Sequence, residues 1–139
     1  MSSEVMIDTN IIAYAASRAA EDARKAAHAR DLIKKLDFAI SGQILQEFYV
    51  TVTRKMRVRL SHEEALDWLD LLNELPCVGI DPSLVRRGAV IAETNRISYW
   101  DGAVIAAAER SGASILYTED LNHNQLYGAV RVLNPFLEN

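Results

Sequence analysis

Asp8, Glu47, Asp101 and Asp120 lie far apart in the chain, yet each falls where a short apolar run ends or a helical stretch begins. Asp8 follows Val5-Met6-Ile7, and Asp120 comes just past Ile115-Leu116-Tyr117. Glu47 sits in the second turn of a helix that opens after Ser41, and Asp101 opens the helix carrying the apolar run Ala103 to Ala108. Carboxylates gathered in a low-dielectric cleft repel one another unless a cation neutralises them or they take up protons. Oxygen ligands without clustered His or Cys suit Mg2+ or Mn2+. The chemistry that such a donor set points to is metal-assisted hydrolysis of a phosphodiester bond.

Each acid also has a plainer reading. Asp8 and Asp101 can cap helices, and Asp120 can be a turn residue. Glu47 can face solvent, although no cation stands three or four residues from it along the helix. Glu21 with Lys25, Asp31 with Lys35 and Glu93 with Arg96 are explained by local surface pairing. Joint placement is what favours a shared site. Thr9, Asn10 and Thr118 stand next to these acids and can orient carboxylates or water, and Glu119 reads as an outward neighbour. Arg54, Lys55, Arg57 and Arg59 cluster after the Glu47 helix, and Arg86 with Arg87 forms a second basic pair. Both groups can bind phosphates or simply end a solvated helix. His28, His62 and His123 are scattered without metal-ligand spacing, and only His123 comes near an acid of interest. Cys77 is expected to be a buried strand residue, since no general base is placed with it.

The elements that must position these residues alternate. Strands are expected at Glu4 to Ile7, Phe38 to Ile40, Cys77 to Ile80, Ser114 to Tyr117 and Val130 to Leu133. One long helical stretch runs from the first strand to Leu36. Leu45, Phe48, Tyr49, Val52 and Met56 form an apolar face after the Ser41 cap. Ser61 to Glu64 is a capping box, and Asp81-Pro82 opens a helix reaching about Asn95. Alternation of this kind implies βαβ units and a mostly parallel sheet. Ligand crevices in such sheets lie beyond the carboxyl ends of the strands, which is where Asp8 and Asp120 fall.

The chain has 139 residues, half of them hydrophobic, enough for one core in a single domain over residues 1–139. Net charge is −4, from 15 Lys and Arg against 19 Asp and Glu, which argues against binding nucleic acid by bulk positive charge. One cysteine excludes an internal disulfide framework and fits a reducing, cytoplasmic compartment. The opening residues show neither a basic segment nor a long apolar run, so no secretory signal and no membrane span are expected.

The combination of Val5-Met6-Ile7-Asp8-Thr9-Asn10, Ser41 to Tyr49 around Glu47, Tyr99-Trp100-Asp101, Leu116 to Leu121 and Asn134-Pro135-Phe136 resembles the PIN-domain ribonucleases, and within them the VapC-type toxins. The resemblance spans essentially the whole chain. It implies a three-layer α/β/α sandwich around a five-stranded parallel sheet, and Mg2+- or Mn2+-dependent endoribonuclease activity. Asp8 and Asp101 would hold the main ion, Glu47 would contribute directly or through water, and Asp120 would hold a second ion or a water. Homodimers and a VapB-type antitoxin lying across the groove are also implied. Relatives often carry glycine where this chain has Asn124; Asn tolerates left-handed backbone, so the turn is expected to survive. The alternatives are a catalytically silent PIN-like binding module and an Asp-based phosphatase or phosphotransfer domain. The latter commonly wants a second Asp two positions after the first, where this chain has Asn10.

Overall fold

The computed structural model describes residues 3–137. Three parallel strands form its centre: β1 (Val5–Ile7), β4 (Ile115–Tyr117) and β6 (Val130–Leu133), with β4 between the other two. A short parallel pair, β2 (Ile40–Ser41) and β3 (Cys77–Val78), continues the sheet beyond β1. The junction is a parallel bridge between Met6 and Ala39, in which the Ala39 N–H donates to the Val5 carbonyl at 2.9 Å. The five expected strands are therefore all present, in the order β3-β2-β1-β4-β6. A sixth, β5 (Leu126–Tyr127), was not expected; it runs antiparallel to β6 through a turn at Gly128, whose φ is +60°. Two-residue strands of this kind carry no usable periodicity.

The chain moves one way from β1 to β2 to β3, then crosses back to lay β4 on the other side of β1. Right-handed crossovers consequently place the helices before β3 on one face and those after it on the other. The first group is α1 (Thr9–Ala16), α2 (Ala23–Lys35), α3 (Gly42–Val50) and α4 (His62–Leu72). The second is α5 (Pro82–Asn95) and α6 (Tyr99–Ser111). This is the three-layer arrangement, and the gap between the carboxyl ends of β1 and β4 is its topological switch point.

The caps read from sequence are observed. Ser41 Oγ accepts from the Ile44 N–H at 3.2 Å, Ser61 and Glu64 cap each other, and Asp81 caps α5 with Pro82 at its first position. The long helical stretch after β1 is instead two helices. Ser17 turns extended, its hydroxyl donates to Asp22 Oδ2 at 2.7 Å, and a 3-10 turn at Ala20–Asp22 leads into α2. The guanidinium of Arg30 donates to the carbonyls of Ala15 and Ser17, satisfying the end of α1 from outside. No glycine or proline marks this break. The turn also takes Glu21 off the helix face of Lys25. Glu21 pairs with Arg57 and Lys25 with Glu119, while Asp31 and Lys35 pair as expected. Cys77 is exposed rather than buried, because β3 is a short edge strand.

Among the described residues, no helix is long and apolar enough to cross a membrane. From Gly102 to Ala108, α6 is buried all round. It lies against the sheet on one side and α5 on the other, so its small residues are the condition for its position. A Cβ on Gly102 would stand 2.5 Å from the Gly88 carbonyl oxygen and 2.9 Å from the Ala92 backbone N. Gly102→Ala is expected to destabilise the protein by about 1–3 kcal/mol through overpacking. Thermal unfolding beside Gly79→Ala, where a Cβ meets nothing within 4 Å, checks this.

Candidate active site

Asp8 leaves β1 at the switch point and caps α1. Its carboxylate is buried and receives two hydrogen bonds, from the Thr9 N–H at 2.7 Å and from the Thr118 hydroxyl at 2.9 Å. Thr118 follows β4 directly, so this second bond ties together the two strand ends that form the crevice. The same hydroxyl oxygen accepts from Asn10 Nδ2 at 3.3 Å and from the Asp120 N–H at 3.2 Å. Thr118 thereby fixes the position of two acids and of Asn10.

Glu47 approaches from α3. Its two carboxylate oxygens accept from the Thr9 hydroxyl at 3.2 Å and from Gln43 Nε2 at 3.3 Å. Thr9 thus serves both acids, through its backbone to Asp8 and through its side chain to Glu47. Gln43 was not singled out from sequence. Its place one helical turn before Glu47 was the available signal. The Gln43 amide also donates to the Trp100 carbonyl at 3.1 Å, which links α3 to the first turn of α6.

A cleft of about 570 Å³ opens over this network. Asp8, Thr9, Asn10, Glu47 and Asp120 line it together with Gln43, Trp100 and Lys55. Asp101 is not part of its lining, although its neighbour Trp100 is. Ser98, not Asp101, caps α6, and Asp101 stands in that helix's first turn. Glu47 and Asp120 nonetheless raise the pKa of both Asp8 and Asp101, so the four acids share one field. For Asp101 burial is the larger cause. Burial also dominates at Asp8, whose carboxyl is pushed up to about 7 against the two hydrogen bonds that favour its charged form.

The basic residues divide. Lys55 faces the cleft because α3 does not continue regularly to Met56 but widens at Thr51 into a π-helical turn, closed by a bond from the Met56 N–H to the Thr51 carbonyl at 3.0 Å. The β-branched run Val50 to Thr53 and the Thr53 hydroxyl, which donates to the Tyr49 carbonyl at 2.7 Å, favour that departure. Arg54 lies in the same turn. Arg57 is paired with Glu21, and Arg87 binds Glu109 through two 2.9 Å bonds near the far end of α6. Arg86 is exposed on α5. Glu119 is neutralised by Lys25 at 2.9 Å, and His123 accepts from the Asn134 N–H. Asn124 adopts φ of 69°, as its side chain allows, and the turn beside Asp120 is retained.

Residues 5–129 match the PIN domain family. The chain belongs to that family. No curated protein sequence matches it. Among solved structures, FitAB bound to an IR36 DNA fragment is similar at 19% identity over 97% of each chain, with a TM-score of 0.70. A toxin–antitoxin complex from Klebsiella pneumoniae is 16% identical over 94% of this chain and 97% of that one, with a TM-score of 0.69. Mycobacterium tuberculosis VapC20, described as a sarcin–ricin loop cleaving toxin, is 17% identical over 84% and 89%, with a TM-score of 0.65. These likenesses are of fold.

The PIN domain's acids suit a hard divalent cation by donor type. Among the described residues none of the four has an ion pair, and Asn10 Oδ1 is buried without a hydrogen-bond partner. Among the described residues, no three acidic, His or Cys side chains stand close enough to cage an ion. Mg2+ commonly keeps several waters and takes one or two carboxylates.

Folding raises the Asp8 pKa from 3.8 to about 7, so it favours the protonated form. The stability this contributes is complete below about pH 4 and lost as pH rises toward 7. With metal chelated, Asp8→Asn is therefore expected to match the wild type near pH 4. At pH 7.5 it should unfold at least about 3 °C higher, the shift that about 1 kcal/mol makes in a domain of this size. A variant that melts lower at pH 7.5 would refute this account of Asp8.

Proposed function

We propose that the protein is a Mg2+- or Mn2+-dependent endoribonuclease and the toxin of a toxin–antitoxin pair. The observation that carries this reading is a buried carboxylate, Asp8, held without a cationic partner at the topological switch point, in a cleft shared with Glu47 and Asp120. Asp8, Glu47, Asp101 and Asp120 are the residues that would hold the ion. When bound, it neutralises their charge and supplies Lewis acidity toward a phosphodiester.

The chain's own residues do the positioning. Thr9 and Thr118 orient the Asp8 carboxylate, and Thr9 with Gln43 orients Glu47, so neither acid can turn away from the cleft without breaking two hydrogen bonds. Lys55 supplies positive charge on the wall facing the acids, where a phosphate flanking the scissile one would lie. The resemblance to PIN-domain ribonucleases implies attack by water with the 3′ oxygen leaving, which gives a 5′-phosphate and a 3′-hydroxyl without use of the ribose 2′-hydroxyl. RNA is favoured as substrate by the description of VapC20, and a protein antitoxin by the complexes among the fold relatives. Homodimerisation and a cytoplasmic location belong to the same reading.

Cleavage of RNA with Mg2+ or Mn2+, followed by analysis of the product ends, tests the proposal. Chelation should abolish cleavage. Thr118→Ala should slow it about 10–100-fold, as loss of an outer hydrogen-bonding partner does, and Asp8→Asn and Asp101→Asn should slow it more. Equal cleavage by wild type and both Asn variants would assign the activity to a contaminant. Absence of Mn2+ binding by calorimetry would favour a silent binding module. Expression should arrest growth, and a small protein encoded beside this gene should relieve the arrest.

A further inference from the structure

Trp100 is 63% exposed, although it lies beside Asp101 and lines the acid cleft. It is nonetheless held in place. Tyr99 packs edge-on against its ring, with centroids 5.1 Å apart and planes at 76°. Its carbonyl accepts from the Gln43 amide that also holds Glu47. On its other side is a recess of about 330 Å³, walled by Ile80, Leu84, Val85, Tyr99 and Ala103. Gln43, Gln46 and Trp100 line both the recess and the acid cleft, so the two adjoin. Ile80 and Val85 are 50% and 43% exposed, which leaves an open apolar surface abutting a row of carboxylates.

We propose that Trp100 and this recess bind an unpaired nucleobase of RNA entering the acid cleft, making Trp100 a specificity-determining residue. The proposal rests on the nuclease reading above and narrows its substrate to single-stranded or looped RNA. A nucleobase has two apolar faces and a polar edge. The indole and the aliphatic wall suit the faces, and the Gln43 and Gln46 amides at the shared rim suit the edge. The shared rim places a base in the recess next to the phosphate that the acids would address. A base still paired in a duplex cannot enter the recess without being unstacked. The acidic surroundings also disfavour an anionic ligand that lacks such a stacking contact.

The chain contains two tryptophans, Trp68 and Trp100, so Trp68→Phe makes Trp100 the only indole. In an Asp8→Asn, Trp68→Phe protein with Mg2+, Trp100 emission should change on titration with a short single-stranded RNA. It should change much less with the same RNA annealed to its complement, or with abasic positions in place of its bases. In cleavage assays Trp100→Ala should raise KM for single-stranded RNA about 5–150-fold, the range expected from loss of one base–aromatic stack. Trp100→Phe should recover part of that loss, and kcat should move less than about threefold. Unchanged KM in Trp100→Ala, or equal emission changes with paired and abasic RNA, would overturn the proposal. So would emission that responds only to protein concentration, which would mark a second copy as the occupant, or only to an antitoxin chain. A wild type that cleaves no RNA would defeat the nuclease reading. Cleavage that is indifferent to Trp100 would defeat this inference alone.

Discussion

One side-chain hydrogen bond, from the Thr118 hydroxyl to the Asp8 carboxylate, reinforces the backbone bond between the two strand ends on which the site depends. It crosses the point where the strand order reverses, and both of its ends are buried. A carboxylate there costs free energy that two donors only partly recover, and the rise of the Asp8 pKa to about 7 is the mark of the deficit. Placing an ionisable group at such a cost makes sense when a ligand restores the balance. Thr118 also bonds Asn10 and the Asp120 backbone, so the same residue that secures Asp8 fixes the loop carrying another of the acids.

The second constraint is spacing. Asp101 can share the field of Glu47 and Asp120 only because α6 lies deep in the protein, and it lies deep because Gly88, Gly102 and a run of alanines let α5 and α6 nearly touch. Gln43 then ties α3 to the start of α6 through the Trp100 carbonyl. Asp8 and Glu47 are thus held by contacts between elements, while Asp120 is placed by the loop that Thr118 fixes.

Much of this was legible in the chain. The Asp8 and Asp120 placements follow from strand ends in a parallel sheet, and the caps at Ser41, Ser61 and Asp81 were visible as residue types in the right order. Three features were not legible in this way. The break between α1 and α2 is stabilised by Arg30, which lies well along the next helix and marks the site of the break by neither glycine nor proline. The π-helical turn that brings Lys55 to the cleft differs from regular helix by a single hydrogen-bond register. Asp101 reads as a helix cap, and only the packed structure shows Ser98 doing that work one turn earlier. A tertiary partner, Arg30, decided the first of these points, whereas the Ser98-Tyr99-Trp100-Asp101 pattern and the β-branched run Val50 to Thr53 are local signals of the other two.

Charge distribution bears on how such a site would recognise RNA. Among the described residues, six basic side chains are engaged in ion pairs: Arg18, Lys25, Lys35, Arg57, Arg87 and Arg110. Exposed pairs of this kind add little to stability, of the order of 0–1 kcal/mol, but they remove cations that would otherwise attract any polyanion. On a protein already at −4, this leaves Lys55 as the basic residue in the cleft lining, with Arg54 before it in the same turn. Binding then cannot rest on bulk attraction to phosphates, and discrimination must come from short-range contacts made where the acids are. An exposed indole fixed at the mouth of the cleft is a contact of that kind, because stacking discriminates a free base from a paired one while adding no charge.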